Sequence, residues 1–146
     1  MNEPKNGFRD LYTMWLSAVM LICLVGCGAK QPDRKLVRVH GTVKVNGQPT
    51  PGITVKLHPD DGRPAISQGI SGADGGFEIS TYSAGDGAPP GHYHVTCVWS
   101  DYDPIARGYT GDRLGGGYAD PSGSPIEWDL QPNGVDEDRL IDLATQ

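Results

Sequence analysis

From Leu36 onward the chain alternates apolar and polar side chains with a period of two. Val37, Val39, Val43 and Val45 fall on one face of a first extended run, with Gly41 midway. That period is the signature of a half-buried β-strand, because successive side chains point to opposite faces. Gly41 has no side chain to pack, so it marks a bulge or a close backbone approach. Asn46-Gly47 then supplies the dipeptide favoured in tight hairpin turns, and residues 49–52 extend the connection. Ile53, Val55 and Leu57 form the next apolar face, alternating with Thr54, Lys56 and His58, until Pro59-Asp60-Asp61-Gly62 ends it.

Residues 65–71 make a weaker strand. Asp74-Gly75-Gly76 turns the chain into Phe77, Ile79 and Thr81, which alternate with Glu78 and Ser80. A proline- and glycine-rich loop at 85–91 follows. Tyr93, Val95, Cys97 and Trp99 then alternate with His92, His94, Thr96 and Val98. Residues 101–120 read as a long loop poor in apolar side chains. Ile126, Trp128 and Leu130 give another strand, and residues 140–143 a last one. Strand candidates recur at roughly ten-residue spacing with no amphipathic helix between them. The pattern predicts an all-β fold, a seven-stranded antiparallel Greek-key sandwich. Parallel pairing needs long crossovers, usually helical, and the sequence offers no helix to make one.

Ahead of this pattern the chain changes character. Lys5 and Arg9, diluted by Glu3 and Asp10, precede an uncharged apolar run at residues 11–25. The run suits the apolar core of a secretory signal and is short for a spanning helix, which takes about 20 apolar residues. It closes on Leu24-Val25-Gly26-Cys27, followed by the small residues Gly28 and Ala29. This arrangement resembles the lipobox of bacterial lipoproteins. The resemblance implies cleavage before Cys27, a diacylglyceryl group on its sulfur, and stable membrane attachment through two or more acyl chains. The expected organisation is a signal peptide at 1–26, a lipidated cysteine and tether at 27–35, and a β-sandwich domain at 36–146. The expected location is the cell envelope of an exporting cell. The membrane is the first expected partner, with an envelope protein or a glycan as a further one.

Composition sharpens this in three ways. Of the three cysteines, Cys23 would leave with the signal and Cys27 would carry lipid, so Cys97 is left alone and no internal disulfide can form. Its place in an alternating strand predicts a small buried apolar residue. With 21 Gly and 12 Pro, turns are many and long helices are disfavoured. The net charge of −6 is unevenly spread: residues 28–100 carry seven basic and six acidic side chains, residues 101–146 three and ten. There is no basic footprint for nucleic acid. Near an anionic lipid surface the acidic half would be repelled and turned outward.

Three segments now carry a second resemblance: GTVKVNGQPTPGITVKLHP from Gly41, SGADGGFEIS from Ser71, and GDGAPPGHYHVTCVW from Gly85. Their turn glycines and core positions (Gly41, Val43, Asn46, Gly47 and Pro49; Asp74, Gly75, Gly76 and Phe77; Gly91, Tyr93 and Val95) resemble the carboxypeptidase regulatory-like, transthyretin-like domain of bacterial lipoproteins. The likeness spans about residues 38–143. It implies a prealbumin-like sandwich and a module without catalysis, cofactor or catalytic residues. It does not supply a ligand, because fold likeness carries no activity.

The candidate chemistry is limited. His92 and His94, two apart on a strand, share a face, and neutral imidazoles so spaced can bind a transition metal. A small metal-dependent enzyme built on this pair is therefore the competing reading; the plain one is two surface histidines. Asp60, Asp61, Asp74, Asp101, Asp103 and Asp112 fall in loops, where oxygen ligands can hold calcium, but the spacing is not that of a calcium loop, and turn-forming roles are expected. No serine stands in a nucleophile-elbow context. Tyr102, Tyr109 and Tyr118 in the 100–118 loop are candidates for a glycan- or peptide-binding surface, whereas Trp99 and Trp128 are expected to pack the sandwich.

Overall fold

A computed structural model describes residues 35–132 and 137–145. The described residues belong to one compact unit, Arg34–Gln146. The expected signal peptide, Cys27 and nearly all of the tether lie outside the described residues, as does Asn133-Gly134.

Among the described residues ten strands follow one another: β1 (Val39–Val45), β2 (Gln48–Pro49), β3 (Ile53–Pro59), β4 (Ser67–Ile70), β5 (Gly76–Glu78), β6 (Gly91–Trp99), β7 (Asp101–Asp103), β8 (Gly108–Thr110), β9 (Glu127–Leu130) and β10 (Glu137–Leu143). In the first sheet β10 lies along one edge of β1, while β5 and then β2 share the other. The second sheet runs β4-β3-β6-β9, antiparallel throughout. β7 and β8 form a separate hairpin. The inward faces of both sheets meet in one core. Val39, Val43, Phe77, Ile141 and Leu143 come from the first sheet and Ile53, Val55, Leu57, Val95, Cys97 and Leu130 from the second. The protein is therefore all-β and sandwich-like, as the alternation predicts.

Local chemistry sets several of these elements. Asn46 and Gly47 both have positive φ, 52° and 78°, the mirror-image turn whose twist matches that of paired strands. Gly41 is a close approach rather than a bulge. It pairs with Phe77 on one side and Arg139 on the other, and a Cβ there would stand 1.8 Å from the Arg139 carbonyl oxygen.

The structure corrects the sequence reading in two places. The sheets are not wholly antiparallel, because β1 and β10 pair parallel, Val39 opposite Glu137 through Val45 opposite Leu143. No local crossover helix is needed, since the connection between them is most of the domain itself. Strands occur over each of the seven expected stretches, but β2, β7 and β8 come in addition, so residues 101–120 are not a plain loop. In β4 the small side chains take the inner face: Ser67, Gly69 and Ser71 point inward while Ile66 and Ile70 are exposed. The inner side there has room only for small groups, since a Cβ at Gly69 would meet the Glu78 carbonyl oxygen at 2.5 Å. The buried Ser71 hydroxyl donates to the Thr50 carbonyl at 2.8 Å and accepts from the Ile53 N–H at 2.9 Å, so its polarity is satisfied.

Candidate functional site

The second sheet places the histidine pair. In the β3-β6 register His58 lies opposite His94 and Pro59 opposite Tyr93. The pairing runs one residue past β3, where the Asp60 N–H donates to the His92 carbonyl at 3.2 Å. On the other side of β6, Glu127 lies opposite His94 and Asp129 opposite His92. Directly opposed residues share a face. The outer face of this end of the sheet therefore carries two short rows, Asp60-His92-Asp129 and His58-His94-Glu127. Tyr93 points the other way into the core, where its hydroxyl donates to the Pro89 carbonyl at 2.6 Å.

The Asp60 carboxylate joins the two imidazoles. One oxygen lies 2.7 Å from His92 Nδ1 and the other 3.1 Å from His94 Nε2. Glu127 lies across the rings from Asp60, 3.9 Å from His92 Nε2 and 3.6 Å from His94 Nδ1. The two rings stand edge to face, their centroids 6.1 Å apart. His94 Nδ1 is shut off from solvent and has no hydrogen-bond partner. His58 turns to Thr96, with 2.9 Å between Nε2 and the hydroxyl oxygen. Its pKa is held below the usual 6.5, first by partial burial and then by the positive charges of Lys56 and His94.

The sequence brings His92 and His94 together correctly on one face, but it does not show that Asp60 and Glu127 flank them. Asp60 stands apart from the other loop aspartates, which form turns or pair with arginines. Asp74 accepts from the Gly76 N–H and Asp103 from the Ile105 and Ala106 N–H groups. Asp61 pairs with Arg63 and Asp101 with Arg113. Asp112 accepts from the N–H groups of Trp99, Leu114 and Gly116, and Leu114 is fully buried as a result of that turn.

The tyrosine candidates separate. Tyr102 and Tyr109 face each other across the β7-β8 hairpin with centroids 5.5 Å apart, both well exposed, and Ile105 at the hairpin tip is 93% exposed. Tyr118 is not part of that surface: it packs on the core and its hydroxyl accepts from the Ala144 N–H at 3.2 Å. Trp128 is buried, stacked on Phe77 with ring centroids 6.3 Å apart, and the Arg139 guanidinium lies over its ring, 5.6 Å from the centroid. Trp99 packs against the core under Arg113 at 4.9 Å.

Comparison with known proteins adds little. No family model matches the chain, and no curated protein does. Among solved structures, a 9R-lipoxygenase from Cyanothece PCC8801 is similar at a TM-score of 0.36 and 17% identity over 77% of this chain. The chain spans 16% of that protein's length, and a likeness this low carries no argument.

Proposed function

We propose that this protein is an exported lipoprotein, held in the cell envelope by lipid on Cys27. Residues 36–146 then form a non-catalytic structural or binding module of the carboxypeptidase regulatory-like, prealbumin-like type, a Greek-key sandwich whose seven principal strands are β1, β3, β4, β5, β6, β9 and β10. The observation that carries this reading is Leu24-Val25-Gly26-Cys27, closing an uncharged run that follows Lys5 and Arg9. The roles of the motif residues support the module: Gly41 lets β1 and β10 meet, Asn46-Gly47 turns a hairpin, Asp74 ties the next turn, and Phe77 and Tyr93 fill the core. Each of these positions serves the fold.

The test is expression of the full chain in a bacterial host, with detergent-phase partitioning and mass analysis of the N-terminal peptide. The expected outcome is a diacylglyceryl-bearing Cys27 at the N-terminus and an uncut or released product for Cys27→Ala. Unchanged processing and membrane retention in that variant would sink the proposal.

The exposed Tyr102–Tyr109 pair favours a second reading, glycan binding through the β7-β8 hairpin, since aromatic faces on a protruding loop suit sugar rings. A glycan array probed with the wild type and with Tyr109→Ala separates it from a purely structural module.

A further inference from the structure

β10 is the longest strand at a sheet edge. It has seven residues and pairs only with β1, whereas the other edge strands of the two sheets, β2, β4, β5 and β9, have four or fewer. Two bonds fix which of its backbone groups are in use. The Glu137 N–H donates to the Arg38 carbonyl at 3.0 Å, and the Leu143 carbonyl accepts from the Asn46 N–H at 2.8 Å. Successive residues of a strand turn their N–H and C=O groups to opposite sides, so Glu137, Arg139, Ile141 and Leu143 direct theirs to β1. Those of Asp138, Leu140 and Asp142 point away from the sheet. The Ala144 N–H continues this outward series, and the Tyr118 hydroxyl accepts it at 3.2 Å. Among the described residues no strand pairs along the rest of that edge. The side chains of Asp138, Leu140 and Asp142 are exposed, Leu140 to 67%. Among the described residues neither aspartate makes an ion pair, although Lys44 lies opposite Asp142 in β1.

An open edge of this kind is a template for another strand. The charges decide which one. Antiparallel pairing of two β10 strands about Leu140 would set each Asp138 opposite the other copy's Asp142, and like charges directly opposed are destabilising. The edge therefore disfavours a second copy of itself and suits a strand of opposite charge. We propose that the edge of β10 from Asp138 to Asp142 accepts an extended segment of another protein with alternating basic, apolar and basic side chains, as an added strand. The outward N–H and C=O groups of Asp138, Leu140 and Asp142 supply the main-chain bonds. Asp138 and Asp142 face the two cationic side chains, and Leu140 covers the apolar one between them. Residues 101–146 carry three basic and ten acidic side chains, a field that draws a basic segment toward this half of the domain. The inference gives the proposed binding module a class of partner. It uses neither Cys27 nor the Tyr102–Tyr109 pair, so its failure is distinct from theirs.

The experiment is titration of the isotope-labelled full chain in detergent with a capped heptapeptide, followed by amide NMR. The peptide carries lysine at its second and sixth positions, leucine at the fourth and threonine elsewhere. We expect saturable shifts of the Asp138, Leu140 and Asp142 amides with a Kd of about 1 mM or tighter, and none with glutamate in place of lysine. Asp138→Lys combined with Asp142→Lys should exchange the two preferences. Leu140→Pro removes an outward N–H that β1 does not use, and should abolish binding; melting curves check its fold, and the charge-reversed variant keeps the test decisive if it unfolds. A second readout needs no peptide. Asp142→Lys alone sets opposite charges across the two-fold β10 pairing, so sedimentation should show self-association about tenfold tighter than in the wild type. The proposal is overturned if the lysine peptide leaves those three amides unmoved, if the glutamate peptide binds equally well, or if the wild type itself dimerises through β10.

Discussion

The Gly41 Cα lies so close to the Arg139 backbone that a Cβ on it would stand 1.8 Å from the Arg139 carbonyl oxygen. The contact sits in the middle of the parallel β1-β10 pairing, with Gly41 opposite Arg139 in the register. Since the obstacle is backbone, no rotamer change can relieve it. Gly41→Ala should therefore cost at least about 3 kcal/mol, near the upper end for overpacking. Urea unfolding of the variant checks this. Gly108→Ala is the control, because the nearest atom to its added Cβ is 3.9 Å away, and it should stay within about 1 kcal/mol of the wild type. An equal loss in both variants would contradict the close approach.

Asp86 ties down the loop after β5. Its carboxylate accepts from the N–H groups of Thr81 at 2.7 Å, Tyr82 at 3.0 Å and Ser83 at 2.8 Å. Partial burial alone would raise its pKa, but these three bonds outweigh burial and hold it below 3.8. The unfolded chain takes up the proton first as pH falls. Stability supplied by Asp86 is thus complete above the unfolded value of about 3.9 and is lost as pH drops through the lower folded one. Asp86→Asn should lower stability at pH 7 by roughly 1–2 kcal/mol and flatten the acid limb of a pH–stability curve. A variant whose curve parallels the wild type below pH 4 would refute this role.

Much of this architecture is legible in the sequence because burial imposes the period-two pattern. The runs around Val43, Val55 and Val95 each have one face in the core, and Asn46-Gly47 states its turn outright. What the pattern omits has physical reasons. The β7-β8 hairpin is solvent-exposed at nearly every position, so nothing selects alternation there. β4 turns its small residues inward because its inner face packs against backbone, where Ser67 and Gly69 fit and Ile70 does not. The β1-β10 pairing joins segments nearly the whole domain apart, and no local signal encodes such a partner. The same limit hid the candidate site. His92 and His94 are visible as an i, i+2 pair, but Asp60 and Glu127 reach them only through the registers of β3 and β9 on β6.

The β7-β8 hairpin gives a local energetic test. Tyr102 and Tyr109 are directly opposed and meet edge to face at 5.5 Å, while remaining 59% and 69% exposed. Their burial is small, so their worth to the fold is chiefly the cross-strand contact. A double-mutant cycle with Tyr102→Ala and Tyr109→Ala should give a coupling of about 0.5–1 kcal/mol. Each single variant should keep a cooperative unfolding transition. A coupling indistinguishable from zero would mean the rings act independently, and the preformed aromatic surface on which the glycan reading rests would go with it.

Cys97 lies on the buried face of β6, opposite Val55, and is fully excluded from solvent. Burial first, and then the negative charge of Asp112, push its thiol up to about 12. The thiolate is the reactive species, so at pH 8 the native protein should label at Cys97 only when the sandwich opens. Peptide mass analysis after iodoacetamide treatment should show Cys97 unmodified under native conditions and fully modified in denaturant. The labelling rate should follow the unfolding equilibrium as urea is raised. Substitution separates packing from polarity. Cys97→Ala leaves a small void in an apolar site, while Cys97→Ser places a hydroxyl there without a partner and should cost about 1–3 kcal/mol. Prompt labelling of native Cys97 would mean that β6 frays far below global unfolding. The core shared by the two sheets would then be weakest at the strand that also carries His92 and His94.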